Sequence, residues 1–392
     1  MSRPAHRNPP YLVVPLLGLL LCWGAGRSSS PDIRFSGYLS NLLVRESFAS
    51  GFGQLTGRSS SLWLNLSRLR LRPRLEVSAA LWFQLEYELD ALYLNHPALF
   101  LPVPQKTRRQ LVRAIWSPVR ENRFQLTHFV DRAFLRVEGL SYRLTVGRQR
   151  IAWGSGRIWN PTDLFNPLNP AAFDRIERDG ADLISLKWYH GPFSDLEVVF
   201  QPQKHFDKAS AALRYHTHFG QYDVALMSGL FERRWVLGGD FAGNLGQAGV
   251  RGEWLLATAS GGAAHPFLKW ILGIDHQLNP KLYGLLELHY NGEGRRSPAE
   301  YQLDRLLRGE ILNLNRWYLF ARLAYQLHPL LAVNFNWNAN LVDGSGFLNS
   351  GLQLSATANL DLTLAVQATY GDPLEEYWYY PTALFFQLIR YF

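Results

Sequence analysis

The side chains with chemical potential in this 392-residue chain are charged groups set two residues apart, a spacing that turns them to one side of an extended strand. Glu86, Glu88 and Asp90 form one such row; Arg132, Arg136 and Glu138 form a second, with Arg143 on the next segment and Lys187 on the one after it. Between the last two runs a long connection that adds Arg157, Arg175 and Arg178. A basic side facing an acidic row suits the guiding of anions by field and hydrogen bonding. Simple pairing of these charges with one another is the plainer alternative. Covalent chemistry is poorly provided for: there is no Gly-x-Ser-x-Gly elbow, no metal-ligand spacing and no phosphate-binding glycine loop ahead of a helix. His205, His216 and His218 flank one hairpin and read as interfacial polar groups rather than metal ligands. No catalytic residue, metal or cofactor is expected, and no enzyme.

The elements that position these groups are read from period-2 alternation. Leu75, Val77, Ala79, Leu81, Phe83, Leu85, Tyr87 and Leu89 form an apolar row interleaved with a polar one, which we read as a single strand. Leu331, Val333, Phe335, Trp337, Ala339 and Leu341 alternate with Ala332, Asn334, Asn336, Asn338 and Asn340, and such an amide row fits a wet lumen better than a dry core. Similar segments recur from residue 33 to 392, giving sixteen to eighteen strands, best read as eighteen. Tight turns at Gly139-Leu140, Gly191-Pro192, Asn279-Pro280, His328-Pro329 and Leu360-Asp361 alternate with long connections. Even strand number, short turns at one end and long loops at the other describe an all-β transmembrane antiparallel up-and-down barrel. A soluble sandwich, propeller or β-helix also alternates, but no fixed repeat is visible.

Composition agrees. Aromatic residues make up 14% and charged residues 18%, against roughly 25% charged in soluble domains. Aromatics that abundant suit interfacial girdles. The net charge of +8 is spread without a Lys/Arg block, so nucleic acid is not expected as a partner. Arg3, His6 and Arg7 precede an apolar run from Tyr11 to Trp23 and then Gly24, Ala25 and Gly26, which reads as a secretory signal over residues 1–26 with the barrel over 27–392. The single cysteine, Cys22, follows two leucines where lipidation wants a small residue.

The connection from 152 to 181 is the third on the long-loop side. It reads Trp153-Gly-Ser-Gly-Arg157-Ile-Trp159-Asn160-Pro161-Thr-Asp163-Leu-Phe165-Asn166-Pro167, with Asn-Pro steps that restrict the backbone. It is too apolar to sit in solvent, so we expect it to fold into the barrel as a constriction loop carried by Trp153, Trp159, Asn160, Pro161, Asp163, Asn166 and Pro167. Parity turns Arg132, Arg136, Glu138, Arg143 and Lys187 inward, to line the pore opposite Glu86, Glu88 and Asp90. Arg148 and Arg150 have lipid parity and require a bulge or the rim. Trp82, Tyr283, Tyr318 and Phe320 are expected on the lumen side, where their faces could stack on sugars.

Val146-Gly147-Arg148-Gln149-Arg150-Ile151-Ala152-Trp153-Gly154, followed by the Asn-Pro segment, resembles bacterial outer-membrane channels of the porin and alginate-export type. The likeness covers about thirty residues in detail. It implies a passive channel narrowed by an inward loop and does not identify the solute; the basic lumen side and the lumen-side aromatics make small hydrophilic solutes, anionic or saccharide, the expectation for passage or export. The stretch lacks the acidic half of a general porin constriction. The final strand, Leu384, Phe386, Leu388 and then Phe392, resembles the signal read by the outer-membrane insertion machinery. Lipid, lipopolysaccharide and that machinery are the partners this implies, with monomer and trimer both tenable. A sealed barrel that binds surface polysaccharide is the alternative function.

Overall fold

The computed structural model describes residues 31–48, 61–96, 109–166, 179–259, 265–307 and 311–392. The signal segment 1–26, and Pro167, Arg175 and Arg178, lie outside the described residues. Twenty-one strands form one antiparallel sheet. In chain order they are β1 (Asp32–Arg34), β2 (Gly37–Ser47), β3 (Ser61–Leu71), β4 (Arg74–Ser78), β5 (Leu81–Leu94), β6 (Ile115–Arg120), β7 (Phe124–Glu138) and β8 (Tyr142–Gln149). After the third long connection come β9 (Ala181–Tyr189), β10 (Asp195–Gln201), β11 (Ser210–Phe219), β12 (Tyr222–Phe231), β13 (Arg234–Leu245), β14 (Ala248–Ala257) and β15 (Phe267–Asn279). The wall is completed by β16 (Leu282–Asn291), β17 (Trp317–His328), β18 (Leu331–Asn340), β19 (Gly346–Thr357), β20 (Leu360–Tyr370) and β21 (Thr382–Tyr391). Strands β1, β4 and β6 are side pieces; the other eighteen pair in sequence and close when β2 pairs with β21 from Tyr38↔Tyr391 to Ser47↔Thr382. The expected count of eighteen holds.

Closure is sealed at the C-terminus. Gly37 and Phe392 exchange backbone hydrogen bonds at 3.0 and 3.1 Å, and Phe35 stacks on the Phe392 ring at 6.1 Å. Outward rows are exposed Leu, Val and Ile through the middle of the wall. Trp63, Tyr93, Trp235 and Trp317 stand near the long-loop rim, and Tyr142, Trp188, Phe219 and Tyr325 near the short-turn rim. Two aromatic girdles around an aliphatic belt match the layering of a bilayer.

Two expectations are corrected by the register, and a third feature is added by it. The alternation over 75–90 is not one strand: β4 ends at Ser78, Ala79-Ala80 turn, and β5 runs back up, with a bulge between Glu76 and Ser78. Turn and bulge together preserve parity, so the pattern reads straight through them. The turn placed at Leu360-Asp361 lies at Ala358-Asn359 instead, again beside a register shift. On β7 Glu86 faces Arg132 while Tyr87 faces Val130, which leaves Asp131 as an extra residue. The inward row is therefore Gln125, Thr127, Phe129 and Asp131 above the bulge, and Arg132, Phe134, Arg136 and Glu138 below it.

The fourth feature is a splice. Strand β8 leaves the wall after Gln149, and the upper half of β7 pairs instead with β6, from Ile115↔Phe129 to Arg120↔Gln125. Arg148 fills the joint. It is 4% exposed, its Nε donates to Asp182 Oδ1 at 2.8 Å, and its Nη1 and Nη2 donate to the carbonyls of Val130 and Val112 at 2.8 and 2.5 Å. Asp182 in turn accepts the Val112 N–H at 2.9 Å. Neither a bulge nor the rim accommodates its parity; the gap between β8 and β6 does, while Arg150 is exposed.

Arg148→Ala leaves the half-buried Asp182 without its cation and two carbonyls without donors. We expect a loss of about 3–5 kcal/mol in urea unfolding of the refolded barrel. Arg148→Lys recovers little, because one ammonium cannot span the three acceptors.

Candidate functional site

The crossing segment is built on small and apolar residues. Trp153 and Phe165 pack with Leu183, Val199, Met227 and Leu255 of the β9–β14 wall, while Trp159 packs with Ile271, Leu285, Tyr318 and Phe320 of β15–β17. Between these anchors the backbone N–H groups point at two inward carboxylates. Glu253 on β14 accepts Ser155 N–H at 2.6 Å, Gly156 N–H at 2.5 Å, Thr162 N–H at 3.2 Å and the Thr162 hydroxyl at 2.8 Å. Glu287 on β16 accepts the N–H groups of Arg157, Ile158 and Trp159 at 2.8, 3.1 and 2.8 Å. Both carboxylates are buried, at 2% and 0% exposure. Gly154 (φ +96°) and Gly156 permit this approach: a Cβ at Gly154 would stand 2.5 Å from the Glu253 carboxylate, and one at Gly156 1.9 Å from the Trp159 carbonyl.

The remaining loop residues hold its shape. Asn166 Oδ1 accepts Ile151 N–H at 2.8 Å, Asp163 Oδ1 accepts Asn166 N–H at 3.1 Å, the Asn160 carbonyl accepts Asp163 N–H at 3.1 Å, and Trp153 Nε1 donates to Glu197 at 2.9 Å. Trp159, Asn160, Pro161 and Asp163 face the outer side, where they floor a cavity of about 1270 Å³. Arg157 is exposed, and its side chain does not line that cavity.

The charged rows expected to face each other across the lumen are paired beside one another instead. Glu86, Glu88 and Asp90 are buried against Arg68 and Arg70 of β3: Arg68 Nε reaches Asp90 at 2.9 Å, and Arg70 reaches Glu88 at 2.6 Å and Glu86 at 2.5 Å. Arg132 joins them through Glu86 at 3.2 Å, and Asp131 contacts Arg70. Arg136 lies over the Trp82 ring at 4.7 Å and donates to Thr145 at 3.1 Å, Arg143 pairs with Glu138 at 2.5 Å, and Lys187 pairs with Asp195 at 3.1 Å. The aromatics expected to stack on sugars are likewise occupied. Arg74 and Arg136 cover Trp82, Tyr318 and Phe320 are buried under Trp159, and only Tyr283 is half-buried. His205 sits at the long-loop rim, away from His216 and His218, whose imidazoles bond Asp195 and Asp223 at 3.2 Å.

Cations accumulate in the vestibule above the crossing segment. Among the described residues its lining carries nine Lys or Arg against Asp163, Glu232 and Glu293. Glu293, in the connection after β16, takes Arg305 at 2.7 Å, Lys269 at 3.0 Å and Arg234 at 3.7 Å. Burial alone would raise its carboxyl, but Lys269 and Arg305 outweigh that and hold it down at about 2. Lys204, Lys208, Arg295 and Arg316 have no carboxylate within ion-pair reach among the described residues. Sequence reasoning missed this cluster because its members sit on loops and strand ends, where parity assigns nothing. It also missed Glu253 and Glu287, although inward parity was legible for both.

A second buried network adjoins the Trp159 anchor. Glu376, in the turn between β20 and β21, accepts Leu314 N–H at 3.0 Å and Asn340 Nδ2–H at 2.9 Å, and the Tyr318 hydroxyl donates to it. Burial pushes its carboxyl up to about 7 despite these donors.

No family model matches this chain, and no curated relative does. Solved structures of like fold are found. A BenF-like porin from Pseudomonas fluorescens Pf-5 aligns over 92% of this chain and 98% of its own, with a TM-score of 0.58 at 10% identity. OccK3 (OpdO) of Pseudomonas aeruginosa aligns over 92% and 95%, with a TM-score of 0.51 at 11% identity. A double variant of OccD1 (OprD) aligns over 92% and 95%, at 0.50 and 11%. The fold is that of bacterial outer-membrane porins.

Glu287→Gln turns an amide donor toward three N–H donors. We expect single-channel noise and conductance to rise as the segment loosens, with the barrel still resistant to detergent; unchanged noise would show that side-chain packing alone holds the segment. Glu376 gives a pH prediction. Its value is raised from 4.5 to about 7, so its contribution is full at acid pH and lost as pH rises through that window. The thermal midpoint should fall between about pH 5 and pH 8, and Glu376→Gln should flatten that slope.

Proposed function

We propose that the chain forms an outer-membrane channel that passes small hydrophilic anions, anionic saccharides among them. One observation carries the reading: among the described residues the vestibule holds an excess of six positive charges over a floor made by the crossing segment. A mouth of one sign with low-dielectric walls concentrates counter-ions and biases what enters. Side chains suited to hydroxyls lie in the same cavity. Gln201 Nε2 and Trp159 Nε1 are buried donors, and Asn291 Oδ1 a buried acceptor, without hydrogen-bond partners among the described residues. Beneath the segment the inward rows stay polar and part-exposed, with Arg214 bonded to Asp240 at 3.1 Å and Arg322 to Asn334 at 2.8 Å, which supports water on both sides. The Gly-Arg-Gln to Asn-Pro likeness to alginate-export channels agrees with the saccharide in this reading without identifying it.

The test is reversal potential in planar bilayers under a salt gradient. The native barrel should prefer anions. Lys204→Glu with Lys208→Glu and Arg295→Glu should abolish or invert that preference, whereas Arg136→Ala and Arg143→Ala should shift it less. A folded but silent barrel would overturn the channel and leave polysaccharide binding at the outer surface.

A further inference from the structure

The outer face of the wall is not uniform. On β10 to β20 the outward residues through mid-wall carry no amide or charge among the described residues; the polar groups on that face are single hydroxyls at Ser228 and Ser350, with Thr217 and His276 nearer the short-turn rim. One strip breaks that rule. Asn41 of β2 and Asn65 and Ser67 of β3 point outward, on rows shared with Leu39, Leu43 and Leu69. Asn41 Nδ2 donates to Asn65 Oδ1 at 3.2 Å and to Ser67 Oγ at 2.9 Å, and Asn65 Nδ2 donates back to Asn41 Oδ1 at 3.2 Å. On the same face His128 of β7 bonds the Tyr87 hydroxyl and stacks on Trp116 at 5.3 Å.

Mutual bonding leaves this strip short. The second Asn65 N–H and the Ser67 hydroxyl hydrogen have no acceptor among the described residues. Trp63, on the long-loop girdle, is one outward step from Asn65, so the strip lies below the girdle, at the depth of the acyl chains. Hydrocarbon offers these groups nothing, and an unmatched polar group there is costly. The strip is also low-built: Asn, Ser and the neighbouring Ala91, paired with Ser67, replace the leucines found elsewhere and allow two walls to approach closely.

We propose that this face is covered by a second copy of this chain, in a two-fold contact that joins strip to strip. Copies inserted in one direction place each residue at the same depth, so mid-depth amides meet amides only if the same face is used by both. A carboxamide and a hydroxyl are each donor and acceptor, and such a contact is self-complementary. A ring of copies using two different faces would set the strip against an aliphatic row.

The test is disulfide cross-linking in native outer membranes, with Asn65→Cys in a Cys22→Ser background and Leu226→Cys on β12 as the control. The expected result is a homodimer band for Asn65→Cys at about tenfold the control's yield. Replacing Asn41, Asn65 and Ser67 together by Leu should weaken self-association about tenfold by mass measurement in detergent, with the barrel still folded. A yield no better than the control, a monomer mass for the native chain, or cross-linking only to other proteins would each overturn the proposal. It stands apart from the channel reading, since none of these readouts depends on ion flow.

Discussion

A strand that leaves a membrane wall abandons a row of N–H and C=O groups, and hydrocarbon offers them no partner. Everything distinctive here follows from how that debt is met at one joint. Strand β8 turns inward after Gln149; β6 takes over the pairing with β7; and the Arg148 guanidinium, with Asp182, spans the seam. Without the patch the chain could not leave the wall. With it, the segment beyond Gln149 is free to cross the lumen.

Having crossed, the segment is received by its backbone. Glu253 and Glu287 offer carboxylates on strands β14 and β16, and Gly154 and Gly156 let the chain come close enough to use them. The same crossing divides the interior. On one side, cations on loops and strand ends gather around Glu293 with too few carboxylates to match them. On the side of β3, β5 and β7, arginines and carboxylates interleave and neutralise one another out of water. On that side buried charge is paired, and at the outer mouth cations are left in excess among the described residues.

Alternation made the barrel legible, because lipid on one side and lumen on the other repeat the same demand at every second residue. It gave the closed eighteen-strand wall and the inward parity of Arg132, Arg136 and Lys187. It failed where backbone geometry resets the phase without disturbing the pattern. Ala79-Ala80 turn inside an unbroken apolar row, and the extra residue at Asp131 flips β7 halfway along. Pairing also escaped it: Arg68 and Arg70 carry the right parity, but which neighbour a charge chooses depends on register, and register is a long-range property. The vestibule was invisible for a simpler reason, that its side chains come from connections whose fold no short-range rule fixes.

The two carboxylates grip peptide N–H groups, which every residue except proline supplies alike. The crossing segment is therefore mounted largely by its backbone. Arg157 could be exchanged for almost any residue but proline while the mount stayed as it is; the glycines, the packed Trp153, Ile158, Trp159 and Phe165, and the bonded Thr162, Asp163 and Asn166 are bound to their identities. Such a barrel works as a socket, in which the exposed positions of the crossing segment can be rewritten in a lineage, or at the bench, without rebuilding the frame that holds it.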